Sequence, residues 1–268
     1  MNAPTLELTG NQTTLRVCSY NIHKGFNTGN RRFLLKKIRE AIRLSHADIL
    51  FLQEVVGENH HNARKIPEWI PESQFEFLAD SVWPHHAYGR NAVYDHGHHG
   101  NAILSKYNLL EDNNFDLSIL PKSHRGVLHT RTMDNLQLFC VHFGLLSAER
   151  RVQIKRLIKI IESRTSEHDA IIIAGDFNDW QSKLGKYLSD ALMLKEALST
   201  SAGKPVATFP AYAPMLPMDR IYFRGLELVA AKVLTGAPWK QLSDHCAVYA
   251  EFSTTKRPFI NTGESNKG

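Results

Sequence analysis

A chain of 268 residues exceeds the usual size of one domain, yet layered α/β units routinely use that length, and no Pro-, Gly- or Ser-rich linker divides this one. Hydrophobic residues make up 43% of it and charged residues 22%, which excludes both a disordered chain and a fibrous repeat. Lysine and arginine outnumber the acids 32 to 27, and the net charge of +5 attracts anions such as nucleic acid or acidic lipid surfaces without selecting among them.

Residues 1–13 read as an N-terminal extension, with no basic start leading into an apolar run and so no expected leader. Thr14 to Tyr20 reads as a strand, Arg31 to Ser45 as a helix with Leu35, Ile38 and Ile42 on one face, and Asp48 to Gln53 as a buried strand. Gly57 to His99, rich in proline and histidine, reads as irregular. The strand–helix–strand pattern then recurs. Leu136 to Phe143 is a strand, Ser147 to Arg164 a helix presenting Ile154, Leu157, Ile158 and Ile161, and Ala170 to Asp176 a second buried strand. Beyond Asp179 come short helices, a Pro-rich loop from Lys204 to Met218, and strands over Asp219 to Phe223 and Cys246 to Phe252. The polar tail, 254–268, is expected to be disordered. The doubled unit predicts a four-layered α/β/β/α sandwich, two mixed sheets packed face to face with helices outside, as one domain over residues 14–253. Cys18, Cys140 and Cys246 each fall in an apolar stretch and read as buried, reduced thiols of a cytoplasmic protein.

Short polar strings sit at the ends of these strands: SYNIHKG from Ser19, LQEV from Leu52, CVHFG from Cys140, GDFND from Gly175, MDRIYF from Met218 and LSDHCAV from Leu242. A single carboxylate in such a place is usually a turn residue or a helix cap. Six strings together are another matter, because packing does not require Asn21, Glu54, His142, Asp176, Asn178, Asp219, Asp244 and His245 all at strand ends. Phosphate-ester hydrolysis needs a hard cation, a group that orients and deprotonates water, and donors for the charge developing on phosphorus. Carboxylates such as Glu54 suit Mg²⁺ or Mn²⁺, and the lack of paired cysteines argues against a thiolate zinc site.

In this order the strings resemble the endonuclease/exonuclease/phosphatase superfamily, which includes deoxyribonucleases, abasic-site endonucleases, inositol polyphosphate phosphatases and neutral sphingomyelinases. The resemblance runs from about Leu15 to Phe252, and GDFND and SDHCAV carry it most strongly. It implies that Glu54 ligates the metal with Asn21 beside it and Asp244 assisting, and that Asp176 positions or deprotonates the attacking water. Asn178 would hold a phosphate oxygen, and His245, oriented by Asp219, would meet the scissile phosphate. His142 would stabilise the developing charge or protonate the leaving oxygen. Abasic-site endonucleases usually carry an acid where His23 stands and a tyrosine where His142 stands, which favours the deoxyribonuclease and sphingomyelinase side. Arg220 stands where an aromatic residue is common. The strings NIHKGF, YGRNAVYDHGHHGNAILS, RGVL and GDFNDW are similar to a bacterial branch often encoded beside cardiolipin synthases, which implies a lipid phosphodiester.

Outside this set, His99 and Asn101 read as parts of a loop that contacts substrate phosphate, the alternatives for the string Asp95 to His99 being a transition-metal site or ordinary surface. Arg125 has the fork of donors to reach a phosphate. His23 and Lys24 either line the cleft or stand exposed in a turn. Arg150, Arg151, Lys155, Arg156 and Lys159 read as a solvated helix face, or else a nucleic-acid path, and Trp180 as packing. The sequence thus predicts a Mg²⁺- or Mn²⁺-dependent phosphodiesterase acting by direct attack of water on a lipid or small phosphodiester. A DNA or RNA nuclease and a catalytically inactive phospholigand-binding module are the alternatives. Peripheral membrane contact stays open, and no obligate protein partner is evident.

Overall fold

Each strand–helix–strand unit read from the sequence forms, and the polar strings fall together because of how these units pack. The computed structural model describes residues 13–121 and 123–254. The N-terminal extension and the polar tail lie outside the described residues, apart from Thr13 and Thr254 at their margins. In chain order the elements begin with β1 (Thr13–Asn21), α1 (Leu35–Leu44), β2 (Ile49–Asn59), α2 (His60–Lys65), α3 (Gln74–Ala79), β3 (His85–Tyr94), β4 (Gly97–Ser105), β5 (Leu109–Asp116) and β6 (Gly126–Thr132). They continue with β7 (Gln137–His142), α4 (Ser147–Arg164), β8 (Ile171–Asp176), α5 (Lys183–Leu192), β9 (Lys195–Glu196), α6 (Ala197–Ala202), β10 (Asp219–Arg224), β11 (Glu227–Leu234) and β12 (Ala247–Thr254).

Backbone pairing gives two six-stranded mixed sheets, β11-β12-β1-β2-β4-β3 and β5-β6-β7-β8-β10-β9. The parallel pairs are β1 with β2 and β7 with β8, the two joined by helices α1 and α4, as parallel pairing requires a long crossover. Strict alternation assigns the faces. Leu15, Val17, Ile49 and Phe51 meet Leu138, Ile172, Ile221 and Phe223 in a core between the sheets. The alternate residues Leu50 and Leu52 pack under α1 and α3, and Ile171 and Ile173 under α4 and α5. Strands buried on both faces read as continuous apolar runs, which is why these were visible in the sequence. The result is the four-layered sandwich. Cys18, Cys140 and Cys246 are buried free thiols, and no helix among the described residues is long and apolar enough to cross a membrane.

The stretch 57–99 is not irregular. It holds the end of β2, α2, α3, β3 and the start of β4, and β3 escaped notice because its inward residues are the small Ala87, Gly89 and Ala92. Nor does β2 stop at Gln53. Its register against β4 shifts between Leu52 and Val55, and Glu54 sits at that bulge with φ +56°. A bulge re-aims one side chain and lets the strand resume.

Candidate active site

Register alone sets three of the predicted residues side by side. In the β7/β8 pair His142 lies opposite Asp176, and in the β10/β8 pair Asp219 lies opposite the same Asp176. The residue before Asp176 must be glycine. Gly175 has φ +150°, and a Cβ there would lie 1.9 Å from the carbonyl oxygen of Val141. The other sheet contributes Asn21 from the end of β1 and Asp244 and His245 from the turn before β12. Ser243 ties that turn to β1 by donating to the Asn21 carbonyl at 2.7 Å.

Asp176 is the hub. Its Oδ2 accepts from Asn21 Nδ2 at 3.2 Å and faces His142 Nε2 at 3.5 Å and His245 Nε2 at 3.7 Å, while its Oδ1 accepts from the Asn178 backbone N–H at 3.0 Å. Burial pushes this carboxyl up to about 7, with the His245 charge opposing and the Asp219 charge reinforcing the rise.

The two imidazoles differ in state. His245 Nδ1 lies 2.9 and 3.1 Å from the two Asp219 oxygens, and Thr208 Oγ1 donates to Asp219 at 2.6 Å from behind. Burial works to lower the His245 pKa, but the charges of Asp219 and Asp176 overcome it and raise it to about 10. His142 is the opposite case: burial, then the Arg125 charge, drive it well below the ordinary histidine range. Arg125 Nη1 sits 3.2 Å from His142 Nδ1. A guanidinium can only donate, so Nδ1 is the acceptor and the single ring proton is on Nε2, toward Asp176.

Over residues 18–245 the sequence matches the endonuclease/exonuclease/phosphatase family. The chain belongs to that family. It is 40% identical over 245 residues to a protein of Escherichia coli strain K12 described as uncharacterized protein YbhP, covering 90% of this chain and 96% of that one. The endonuclease/exonuclease/phosphatase from Beutenbergia cavernae superposes with a TM-score of 0.72 at 16% identity, covering 89% of this chain and 71% of the other. D. rerio TDP2 in complex with single-strand DNA product superposes with a TM-score of 0.62 at 16% identity, covering 90% and 100%. At such identities the two structures speak for the fold alone.

Enzymes of this family are generally phosphoester hydrolases that use divalent metals, and the residues present fit such an ion. Glu54 is bound through Oε2 to Lys24 Nζ at 2.9 Å, and Asp244 Oδ1 accepts from Ser243 Oγ at 3.3 Å and lies 3.5 Å from His23 Nδ1. The second oxygen of each, Oε1 and Oδ2, has no protein partner among the described residues. Asn21 Oδ1 adds a third oxygen, accepting from the His23 backbone at 3.0 Å. Burial works to raise the Glu54 pKa, but the pull of His142 and Lys24 outweighs it and holds the carboxyl well below the usual range. Because His142 is itself neutral, Lys24 is the standing partner. Such hard oxygen donors suit Mg²⁺ or Mn²⁺. Asp176, Asp219 and His245 also bring ligand atoms within 4.8 Å of one another. There, however, His245 Nδ1 is already engaged by Asp219 at 2.9 Å, and its Nε2 faces Asp176 at 3.7 Å.

Other predicted residues fall in varied places. Asn178, with φ +50°, is buried and donates its amide to the Phe143 carbonyl at 2.9 Å. His99 lies on strand β4, not in a loop, opposite Val56. It has Lys24, Glu54 and Arg125 as electrostatic neighbours and a pKa lowered to about 4, by burial first and Lys24 second. Asn101 is fully buried, and its amide bridges the two sheets by donating to the carbonyls of Gly126 at 3.1 Å and Cys140 at 3.2 Å. No three of the Asp95 to His99 side chains reach a common metal-ligand spacing among the described residues. The basic stripe on α4 is interrupted, since Arg150 is buried, donates to the Gly144 carbonyl at 3.2 Å, and lies over the Trp180 ring at 4.8 Å. Arg220 likewise turns inward, to the carbonyls of Asp179 and Pro217. Thr208 was not found from the sequence, because nothing in a Pro-rich loop marks one threonine as the support of Asp219.

Proposed function

We propose that this chain is a divalent-cation-dependent phosphodiesterase, carried by one domain over residues 14–253, that cleaves a lipid or small phosphodiester by direct attack of water. The observation that supports this best is the convergence of two imidazole Nε2 atoms and one asparagine amide on a single oxygen of Asp176. With a pKa of about 7, Asp176 is poised to take a proton from water near neutral pH. The water oxygen bonds to phosphorus as the bond to the leaving oxygen breaks, and cationic His245 supplies the proton that the leaving oxygen needs. Neutral His142 donates an Nε2–H hydrogen bond to the phosphoryl charge, so of the roles expected for it protonation passes to His245. Held by Glu54, Asn21 and Asp244, Mg²⁺ or Mn²⁺ would supply charge neutralisation at the phosphoryl oxygens. No side chain becomes covalently attached.

Burial of Arg150 breaks the basic face that a nucleic-acid path along α4 would need, which favours the small or lipid substrate. The test is hydrolysis of plasmid DNA, single-stranded RNA, phospholipid vesicles and bis(p-nitrophenyl) phosphate with Mg²⁺, Mn²⁺ or EDTA, by wild type and His245→Ala. Metal-dependent cleavage confined to the lipid or the small diester, and lost in the variant, is the expected result. Cleavage of nucleic acid alone makes the enzyme a nuclease, and metal-dependent ligand binding without any hydrolysis makes it a binding module.

A further inference from the structure

Beside Glu54 the surface sinks into a hollow of about 320 Å³ for which the mechanism above has no use. Its walls come from the end of β2, the β3–β4 hairpin and residues 123–125, and Lys24, Glu54 and Arg125 line both it and the site. A substrate whose phosphate rests against His142 has this hollow next to it.

Donors outnumber acids in the lining. Four imidazoles, His96, His98, His99 and His124, reach into it, and Tyr94 orders three of them. The Tyr94 ring stacks on His96 at 5.5 Å and 9° and on His99 at 5.7 Å and 26°, and meets His124 edge-on at 5.8 Å. An aromatic ring so engaged with its neighbours is a poor platform for a nucleobase. Both carboxylates of the lining are already paired, Glu54 with Lys24 at 2.9 Å and Glu58 with His60 at 3.3 Å. Among the described residues the Arg125 side chain donates only to His142, and its Nε has no hydrogen-bond partner. A half-buried guanidinium without an acid, within a ring of imidazoles, is chemistry that receives an anion. A cavity this small and polar offers nothing to an acyl chain.

We infer that this hollow is a subsite for a second phosphate, a phosphomonoester carried on the alcohol portion of the substrate beside the scissile diester. The inference rests on the phosphodiesterase reading, and the test separates the two. Binding of propane-1,3-diol monophosphate, the corresponding bisphosphate, and hexyl phosphate is measured by calorimetry with Mn²⁺ at fixed ionic strength, alongside inhibition of bis(p-nitrophenyl) phosphate hydrolysis. The bisphosphate is expected to bind at least tenfold tighter than the monophosphate, as one more set of charge-assisted hydrogen bonds allows. His96→Ala and His124→Asn, each checked by thermal melting, should cut that ratio severalfold. A ratio near one in wild type, a ratio that neither variant changes, or tighter binding of hexyl phosphate overturns the subsite. Preferential bisphosphate binding without hydrolysis of any diester leaves the subsite standing and removes the phosphodiesterase reading instead.

Discussion

Replacing Asp219 by asparagine removes one charge and almost no volume, so it isolates what the carboxylate does for His245. The pair is buried, with His245 Nδ1 2.9 Å from the nearer oxygen and side-chain exposures of 8% and 0%. At ~3 Å and an effective dielectric of ~20, their attraction is roughly 5 kcal/mol, or nearly four pH units at about 1.4 kcal/mol each. That agrees with a pKa of about 10 in place of 6.5. Without that charge only Asp176 and Asp244 oppose burial, so the His245 pKa drops toward its ordinary value and at pH 8 only about 3% of it is protonated. The proton donor is then scarce and its tautomer unfixed, and kcat at pH 8 should fall by about 10² to 10⁴. The sign is specific. Wild-type activity should hold until pH rises toward about 10, whereas in Asp219→Asn the alkaline limb should move below pH 7. The assay is kcat against pH on a small diester, with the His245 ring followed by NMR. An alkaline limb left at its wild-type position refutes the assigned role, whatever the loss in rate.

On the acid side, wild-type kcat should decline as pH drops through about 7, because Asp176 must be ionised to accept a proton; a rate that stays level to pH 5 removes Asp176 as the base. Glu54→Gln should weaken Mn²⁺ binding by at least about tenfold in calorimetry, since a half-buried anion is lost from the donor set, and unchanged affinity would place the ion elsewhere. Gly175→Ala should cost about 3 kcal/mol or more and lower Tm by roughly 6–12 °C, because its Cβ would meet backbone at 1.9 Å with no side chain to yield. Leu157→Ala, in the fully buried contact of α4 with its sheet, should cost about 2–5 kcal/mol in a denaturant melt while sparing kcat below the transition.

What the sequence disclosed and what it hid divide along physical lines. Ile171 to Asp176 was legible because a strand buried on both faces must be apolar throughout, so the first acid marks the place where it leaves the core. Gln137 to His142 is likewise buried along its length with His142 at its end, whereas Thr13 to Asn21 alternates over Thr14, Leu15 and Arg16 before its buried run. β3 was hidden because an edge strand with Ala87, Gly89 and Ala92 facing inward gives almost no hydrophobic period. The aim of Glu54 was hidden because a bulge leaves no mark on composition. Arg150 was read as solvated since nothing in its helix announces that its guanidinium turns back to cap the Gly144 carbonyl. Helical periodicity tells which way a Cβ points, but a long side chain can still fold inward.

The strand order has a consequence for synthesis on the ribosome. β12 is the final described strand to be made, yet it lies in the interior of its sheet, between β11 and β1, and His245 enters the site just ahead of it. Until this segment emerges, the opening strand has one unfilled edge and Asp219 faces no imidazole. A nascent or prematurely ended chain would thus hold five of the six acid and amide groups (Asn21, Glu54, Asp176, Asn178 and Asp219) and lack Asp244 and His245. The candidate site is therefore completed in one step with the closing strand.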